Sequence, residues 1–291
     1  MIDIEGELLR IERTVSSTPD GDMPALFDAV PLEVFGALQV DAPDSFPNLM
    51  SWLPRMASNE AQEAWTGSSG HVLLKQSISF VRIVTTAYAN LTGRALSDAN
   101  VLDFGCGWGR LVRLLYKYVP SGQIYGVDPM EASLQQCREA GLRGHFLKSD
   151  YIPRALPTPT GLRFDFIFAF SVFTHLSEKV ARIALNTLAE HLSDEGLLAL
   201  TIRPREYWPF IAAHSGSFDE QKIEELLDLH DRLGFAFAPH QGQKIEGEVT
   251  FGDTSMTLEY LRSACPQLKL AGLEWSEADP YQLIVLMKRA V

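Results

Sequence analysis

The stretch from Asn100 to Gly109 constrains the fold more than any other part of the chain. Val101-Leu102-Asp103-Phe104 reads as a short buried strand, and Gly105-Cys106-Gly107-Trp108-Gly109 follows it directly, with glycine at every second position. Glycine reaches backbone angles that a side chain forbids and lets the main chain approach a ligand closely. Three glycines at alternate positions cost backbone entropy that a plain strand-to-helix turn does not require. The stretch therefore calls for a β-loop-α unit with a nucleotide-like ligand at its loop.

Such a unit needs a sheet around it. After Ser97, strand-like runs at Asn100–Phe104, Gln123–Asp128, His145–Lys148, Phe164–Phe170 and Leu197–Ile202 alternate with helical patterns. The first helix turns Leu111, Leu114, Leu115 and Tyr118 inward. The second carries Leu134 and Cys137 and stops at Gly141. The third carries Val180, Ile183, Ala184, Leu188 and Leu192 and ends in an Asp194-Glu195-Gly196 turn. Alternation of this kind, with strands apolar on both faces, predicts a largely parallel sheet covered on both sides. Beyond Arg203 the rhythm breaks. Ser217 and Glu220 are spaced as a capping box for a helix bearing Ile223, Leu226, Leu227 and His230. A Gly/Gln/Glu-rich passage from His240 to Gly252 follows, then a short helix with Leu258 and Leu261 before Pro266. Leu268–Trp275 and Gln282–Lys288 read as two last strands. Ahead of the sheet, residues 1–66 carry Pro19, Pro24, Pro31, Pro43, Pro47 and Pro54 and read as loops and short helices. After the Gly67–Gly70 stretch, Leu74, Ile78, Val81, Thr85, Tyr88 and Leu91 describe one face of a long helix ending near Gly93. The expected organisation is a helical cap over 1–96 and an α/β domain over 97–291, with an insertion at 204–265.

Asp128 ends the second strand, where a carboxylate can accept both hydroxyls of a ribose. A dinucleotide loop of the form G-x-G-x-x-G needs a third glycine where this chain has Arg110, and no tyrosine-lysine pair follows the fourth strand, so a nicotinamide dehydrogenase is disfavoured. The pattern present, an acid followed by G-x-G-x-G, resembles the first motif of the class I S-adenosylmethionine-dependent methyltransferases. Val127-Asp128 resembles the second motif, Ser149-Asp150-Tyr151 the third, Phe164 to Ser171 the fourth-strand motif, and Leu192 to Leu198 the helix end and fifth strand beyond it. The resemblance covers roughly residues 97–203 and the last two strands. It implies a Rossmann-like α/β fold: a seven-stranded, mostly parallel sheet with an antiparallel last strand, a helical N-terminal cap and an insertion after the fifth strand that shapes an acceptor pocket. It implies S-adenosyl-L-methionine as cofactor, held by Asp103, Gly105, Cys106, Gly107, Trp108, Gly109, Asp128, Pro129, Asp150, Tyr151, Phe170 and Ser171. In that scheme Asp103 meets the amino group of the methionine part, directly or through water, while the N-terminus of a helix beginning near Trp108 favours the carboxylate of that methionine part. Asp128 takes the ribose, Asp150 takes the adenine amino group, and Trp108 serves either as an apolar wall or as core packing. The run Phe170 to Leu176 looks like bacterial members associated with glycan or natural-product modification.

A sulfonium is already an activated electrophile, so the protein must align an acceptor, exclude water and, for a hydroxyl acceptor, remove a proton. His175, just past the fourth strand, is the first choice of base, its structural alternative being a tie between loop and helix. Tyr207, His214 and Tyr260 are the other candidates. A carboxylate or free amine acceptor requires no base. The expected activity is O-methylation of a small molecule, a sugar or natural-product hydroxyl. The alternatives are N-methylation of a small amine or peptide, and a catalytically silent methyltransferase-like module.

Charge and composition narrow the partners. With 25 Lys+Arg against 37 Asp+Glu, a net charge of −12 disfavours nucleic acid. Arg110, Arg113 and Lys117 read as a solvated helix face. Cys106, Cys137 and Cys265 are odd in number and, like His145, His191, His230 and His240, lack metal-ligand spacing, so no metal is expected and the histidines default to surface or core roles. Asp279-Pro280-Tyr281 and Cys265-Pro266 resemble nucleobase-methylation motifs but lie away from the fourth strand. Met1 to Glu12 has neither a basic nor an apolar signal region, and no apolar run spans a bilayer. The expectation is a cytoplasmic protein with a small-molecule acceptor and no membrane partner, for which a homodimer is allowed.

Overall fold

The computed structural model describes residues 3–18, 23–216, 218–240 and 244–290. The chain divides into two compact units, Met1–Lys148 and Ser149–Val291.

The first unit opens with α1 (Ile4–Thr14), whose first turn is capped by the Asp3 carboxylate accepting from the Gly6 N–H at 3.0 Å. Leu8 and Ile11 are its buried face. Then come α2 (Met23–Leu26), α3 (Leu32–Asp41), α4 (Pro47–Trp52), α5 (Asn59–Thr66) and the long α6 (Gly70–Thr92). The prolines of this region start helices more than they break them: Pro31 is the N-cap of α3 and Pro47 sits in the first turn of α4, where a missing N–H costs nothing. Pro19 lies outside the described residues. Gly67 (φ +72°) ends α5 and Gly93 (φ +69°) ends α6, both in the left-handed conformation. At Gly36 a β-carbon would lie 2.8 Å from Leu74 Cδ1, which is how closely α3 and α6 pack.

After the helices, β1 (Val101–Phe104), α7 (Val112–Leu115), β2 (Ile124–Asp128), α8 (Glu131–Glu139) and β3 (His145–Lys148) complete the unit. The strands run parallel in the order β1-β2-β3, with Asp103 opposite Gly126 and Asp128 opposite Lys148. The expected solvated basic face is corrected here. Arg113 is only 2% exposed; its Nη1 donates to the Arg55 carbonyl, and its guanidinium lies 5.1 Å from the centre of the Trp108 ring. Burial pulls its pKa down to about 10, so it stays charged at neutral pH. Lys117 donates to the carbonyls of Phe27 and Asp28. Because α7 is a single turn packed against α3 and α6, Arg113 within it and Lys117 just after it fasten carbonyls of the N-terminal segment instead of forming a solvated face.

The second unit contains β4 (Phe164–Ala169), α9 (Glu178–His191), β5 (Leu192–Ile202), α10 (Tyr207–Ser215), α11 (Glu220–Leu233), β6 (Phe235–Pro239), β7 (Lys244–Ile245), β8 (Glu248–Val249), β9 (Gly252–Met256), α12 (Leu258–Ala264), β10 (Leu268–Glu274) and β11 (Leu283–Arg289). Its larger sheet has the order β10-β11-β5-β4. β4 and β5 are parallel, and β11 runs antiparallel to both β5 and β10. The seven strands of the expected fold are thus present, with the final strand antiparallel.

Three local expectations change. Asp194-Glu195-Gly196 is not a free turn but part of β5: Leu192 pairs with Phe164, the register shifts, and Leu197 pairs with Phe166, so these residues form an irregularity inside the strand. α11 is capped by Asp219, which accepts from the Lys222 N–H at 2.8 Å, while Ser217 of the expected capping box lies outside the described residues. The passage after α11 is also more ordered than its composition suggested. β6 and β9 form an antiparallel pair from Phe235↔Met256 to Pro239↔Gly252, and β7 pairs with β8.

Candidate functional site

In the first unit the glycine loop is tied to the end of β2. The N–H groups of Gly105 and Cys106 both donate to the Val127 carbonyl, at 2.8 and 3.1 Å. The Asp128 carboxylate then accepts from Gly107 N–H at 2.9 Å through one oxygen and from Met130 N–H at 2.8 Å through the other. A carboxylate has about four acceptor positions, so this grip leaves room for further donors. Gly105, Gly107 and Gly109 have φ of +80°, +53° and +80°, which explains their residue type. Their surroundings differ. A β-carbon at Gly109 would lie 2.3 Å from Leu142 Cδ1, whereas one at Gly107 would meet nothing within 4 Å. The third glycine serves packing, and the middle one leaves open space against bare backbone.

Asp103 is 3% exposed. Burial pushes its pKa well above the usual carboxylate range, the nearby Asp128 pushes it further, and Arg110 pulls the other way. Burial also raises Asp128, against the opposing N–H groups of Met130 and Gly107. Two buried carboxyls close enough to disfavour each other's charge form a place that a cationic, hydrogen-bond-donating ligand suits. Trp108 is buried against Arg113, the packing role foreseen as its alternative. Cys106 is buried, and its thiol pKa is pushed well up, by the hydrogen bond with Cys137 first and by burial second. Pro129 is half-buried beside Asp128. The expected helix from Trp108 is corrected: residues 108–111 form turns and the helix begins at Val112, because two left-handed glycines interrupt the helical path.

In the second unit Asp150 and Tyr151 are exposed, and Phe170 is buried at the end of β4. Ser171 has a left-handed φ of +58°, and its N–H donates to Thr201 Oγ1 at 2.7 Å. Such a conformation in a non-glycine residue is held by its neighbours and is common at functional loops. Beyond the carboxyl ends of β4 and β5, where open α/β sheets place their ligands, lies a cluster centred on Asp253. Arg203 Nη1 donates to Asp253 Oδ1 and to the Thr174 carbonyl; Tyr207 OH donates to Asp253 Oδ1 at 2.9 Å; His240 Nε2 lies 2.8 Å from Asp253 Oδ2. His175 Nδ1 is 2.8 Å from the Gly252 carbonyl, and its Nε2 is 3.3 Å from Arg203 Nη2. Because a carbonyl only accepts and a guanidinium only donates, the proton is on Nδ1 and the Nε2 lone pair faces Arg203. Phe251 stacks on the His175 ring at 4.9 Å.

The structure therefore brings His175 and Tyr207 together, and leaves Tyr260 and His214 elsewhere. Tyr260 OH meets Glu178 Oε1 at 3.2 Å under the Arg182 guanidinium, and His214 Nδ1 meets the Phe210 carbonyl. Arg203, His240 and Asp253 were not singled out from the sequence. Their signal is a strand pairing, β6 with β9, inside a passage without clear alternation. Burial raises the Tyr207 pKa, while Asp253 is held below the usual range by Arg203, His240 and Tyr207 despite its own burial. Among the described residues no group of three or more His, Cys, Asp or Glu is arranged to hold a metal ion.

Burial first and Arg203 second lower the His175 pKa from 6.5 to about 4. The unfolded chain takes up this proton first as pH falls. The stability contributed by the neutral ring is therefore complete above about pH 6.5 and is lost as pH drops towards about 4. Urea unfolding at pH 7 and pH 5 is expected to show a loss of about 1–3 kcal/mol between the two. In His175→Gln that loss shrinks, and an unchanged pH slope in the variant rules out His175 as its source.

A methyltransferase-domain family model matches residues 101–196. Trans-aconitate 2-methyltransferase of Azoarcus sp. (strain BH72) is 31% identical over 135 residues, covering 46% of this chain and 51% of that protein. Malonyl-[acyl-carrier protein] O-methyltransferase of Legionella pneumophila is 28% identical over 181 residues, covering 60% of this chain and 59% of that one. The chain spans about half the length of the curated relatives it matches. Among solved structures, a Pyrococcus horikoshii OT3 protein aligns with a TM-score of 0.50 at 16% identity, over 72% of this chain and 90% of that one, which is a likeness of fold.

Proposed function

Starting from a chain that belongs to the class I S-adenosylmethionine-dependent methyltransferases, we propose that it transfers a methyl group from S-adenosylmethionine to an oxygen atom of a small molecule. The observation that carries the reading is the Asp103–Asp128 pair at the glycine loop. Asp128 already orders Gly107 and Met130 through their N–H groups. Its remaining lone pairs would take ribose hydroxyls, and Asp103 would meet the ammonium of the methionine part. The open space at Gly107 suits a ligand lying against bare backbone. When bound, the cofactor supplies a methyl group on a cationic sulfur, ready for displacement. The tasks left to the protein are orientation, exclusion of water and management of the acceptor's proton.

Transfer to oxygen is favoured by the Asp253 cluster, which holds imidazoles beyond β4 and β5 and offers proton chemistry that an amine acceptor does not require. The Legionella relative's name also states transfer to oxygen. A sugar or natural-product hydroxyl remains the proposed acceptor.

Two measurements test the reading. Calorimetry with S-adenosylhomocysteine is expected to give micromolar binding that Asp128→Ala weakens at least about a hundredfold, since two charge-assisted hydrogen bonds to the ligand are lost and the loop is released. Wild-type binding in that variant removes Asp128 from the site. Methyl-labelled S-adenosylmethionine, incubated with the small-molecule fraction of a cell extract, should give a labelled oxygen ester or ether by mass analysis. Label on nitrogen alone contradicts the oxygen assignment.

A further inference from the structure

We infer that a cavity in the first unit, between α3, α6 and α7, is a binding site for a one-carbon planar oxyanion, bicarbonate above all, held by one edge of the Arg113 guanidinium and by Gln39; the inference does not rest on the methyl-transfer reading above. The cavity has a volume of about 20 Å³. A water needs about 10–15 Å³ on the same scale, so the space suits a very small ligand and not one of cofactor size. Two arginines, Arg110 and Arg113, line it, and no acidic residue does. In a chain with a net charge of −12 this is a local reversal of sign, and it favours an anion.

Arg113 and Gln39 are both buried. Arg113 Nη1 donates to the Arg55 carbonyl at 3.3 Å, and the guanidinium lies 5.1 Å from the centre of the Trp108 ring, another wall of the cavity. Its Nε and Nη2 have no hydrogen-bond partner among the described residues. These two groups share one edge of the guanidinium and present parallel N–H bonds, the fork that takes two oxygens of a planar anion at once. Burial lowers the Arg113 pKa only to about 10, and the groups that oppose this, Tyr116 and Cys137, are not carboxylates. The cation therefore persists at neutral pH, and no carboxylate among the described residues pairs with it. A buried charge in that position calls for a counter-ion.

Gln39 decides which anion. Its Nε2 donates to the Arg113 carbonyl at 3.3 Å, which fixes the orientation of the amide, and its Oε1 has no partner among the described residues. The other polar side chains of the wall are satisfied: Ser77 Oγ donates to the Leu73 carbonyl, Gln62 Nε2 donates to the Ala57 carbonyl, and Gln62 Oε1 accepts from the Gly70 N–H. The cavity thus offers two donors on a cation and one acceptor. A water brings no charge. Chloride cannot span the fork and has no proton to give. Bicarbonate presents two oxygens to the fork, carries one negative charge and has one O–H for Gln39 Oε1. Formate and nitrate share its planar shape and charge but lack that O–H, which makes them the matched comparisons.

The test titrates the whole chain with the sodium salts of bicarbonate, formate, nitrate and chloride at about pH 8 and constant ionic strength. Bicarbonate is expected to raise the unfolding temperature saturably and to bind about threefold to tenfold more tightly than nitrate or formate, the range for one hydrogen bond. The Nε–H resonances of Arg113 should shift along the same titration. Arg113→Lys keeps the charge but loses the fork, and should weaken bicarbonate at least about tenfold. Gln39→Met should bring bicarbonate down to the affinity of nitrate. A rise that never saturates, a rise equal in Arg113→Lys, chloride as tight as bicarbonate, or bicarbonate no tighter than nitrate overturns the inference. So does an Nε–H resonance that stays in place in the wild type, a readout that holds even where a variant fails to fold. S-adenosylhomocysteine should leave bicarbonate affinity within about twofold. Mutual exclusion of the two assigns Arg113 to the carboxylate of that molecule and overturns a separate anion site, while a chain that binds bicarbonate and no S-adenosylhomocysteine overturns the methyl-transfer reading alone.

Discussion

Asp103→Asn is expected to make the ligand-free protein more stable and a worse binder of S-adenosylhomocysteine. The residue is nearly inaccessible to water, and burial is the first cause of its raised pKa, with Asp128 the second. A carboxyl whose folded pKa lies above its unfolded value of about 3.9 binds its proton more tightly when folded. Below about pH 4 the group is neutral in both states and costs little. As pH rises through the folded pKa, the folded state must either hold the proton against the solution or carry a buried charge, and stability falls. An amide of the same shape carries no such charge. At pH 7 the gain should reach at least about 1 kcal/mol in urea unfolding, the lower end for an incompletely compensated buried polar group, and it should vanish towards pH 4. Arg110 loses an attractive neighbour but keeps its bond to Gln76 Oε1, which limits the offset. Affinity should drop about tenfold to a hundredfold, the range for one charge-assisted hydrogen bond. A variant that is destabilised at every pH, or that binds as tightly as the wild type, removes Asp103 from the role given to it here.

That opposition of stability and binding explains which parts of the site were legible in the sequence. Asp103, the three glycines and Asp128 lie within one strand-loop-helix-strand unit, and their roles follow from neighbours a few residues away or from the adjacent parallel strand. The glycines declare themselves because φ near +80° and +53° admits little else. Local readings failed where tertiary packing decided the outcome. Arg113 has the sequence context of a surface residue, yet single-turn α7 packs against α3 and α6 and buries it. Asp194-Glu195-Gly196 has turn composition, yet β5 carries it as an irregularity because Leu192 and Leu197 both pair with β4. The Asp253 cluster was illegible for a third reason. It depends on a ladder between Phe235–Pro239 and Gly252–Met256, five-residue strands of which the first is apolar throughout and the second is mostly small and polar, so neither alternates. Only the pairing brings Asp253 to Tyr207 and His240.

Gly252→Ala should dismantle that second arrangement without touching the first. A β-carbon at this position would lie 2.1 Å from the Ala238 carbonyl oxygen and 2.8 Å from Pro239 Cα, both backbone atoms of the facing strand, and 2.6 Å from Phe237 Cε2. A flexible side chain can rotate away from such an intrusion, but a paired strand cannot, so β9 must move from β6. Gly252 is also bound to His175 twice, donating its N–H to the His175 carbonyl at 2.9 Å and accepting from the ring at 2.8 Å. Displacing it moves Asp253 in the next position and loosens Arg203, Tyr207 and His240 together. Stability should fall by about 3 kcal/mol, the upper end for forced overpacking. The acid sensitivity assigned to His175 should weaken as its ring is exposed to water, and methyl transfer should fall with the cluster. S-adenosylhomocysteine binding, which the proposed function assigns to Asp103, Gly107 and Asp128, should stay within about twofold. Gly247→Ala is the matched comparison. Its φ of +83° makes any side chain strained, but no atom lies within 4 Å of the added carbon, so only the left-handed penalty of about 1–2 kcal/mol applies. If Gly252→Ala is no more destabilising than Gly247→Ala, the close approach of β6 and β9 does not hold the Asp253 cluster in place.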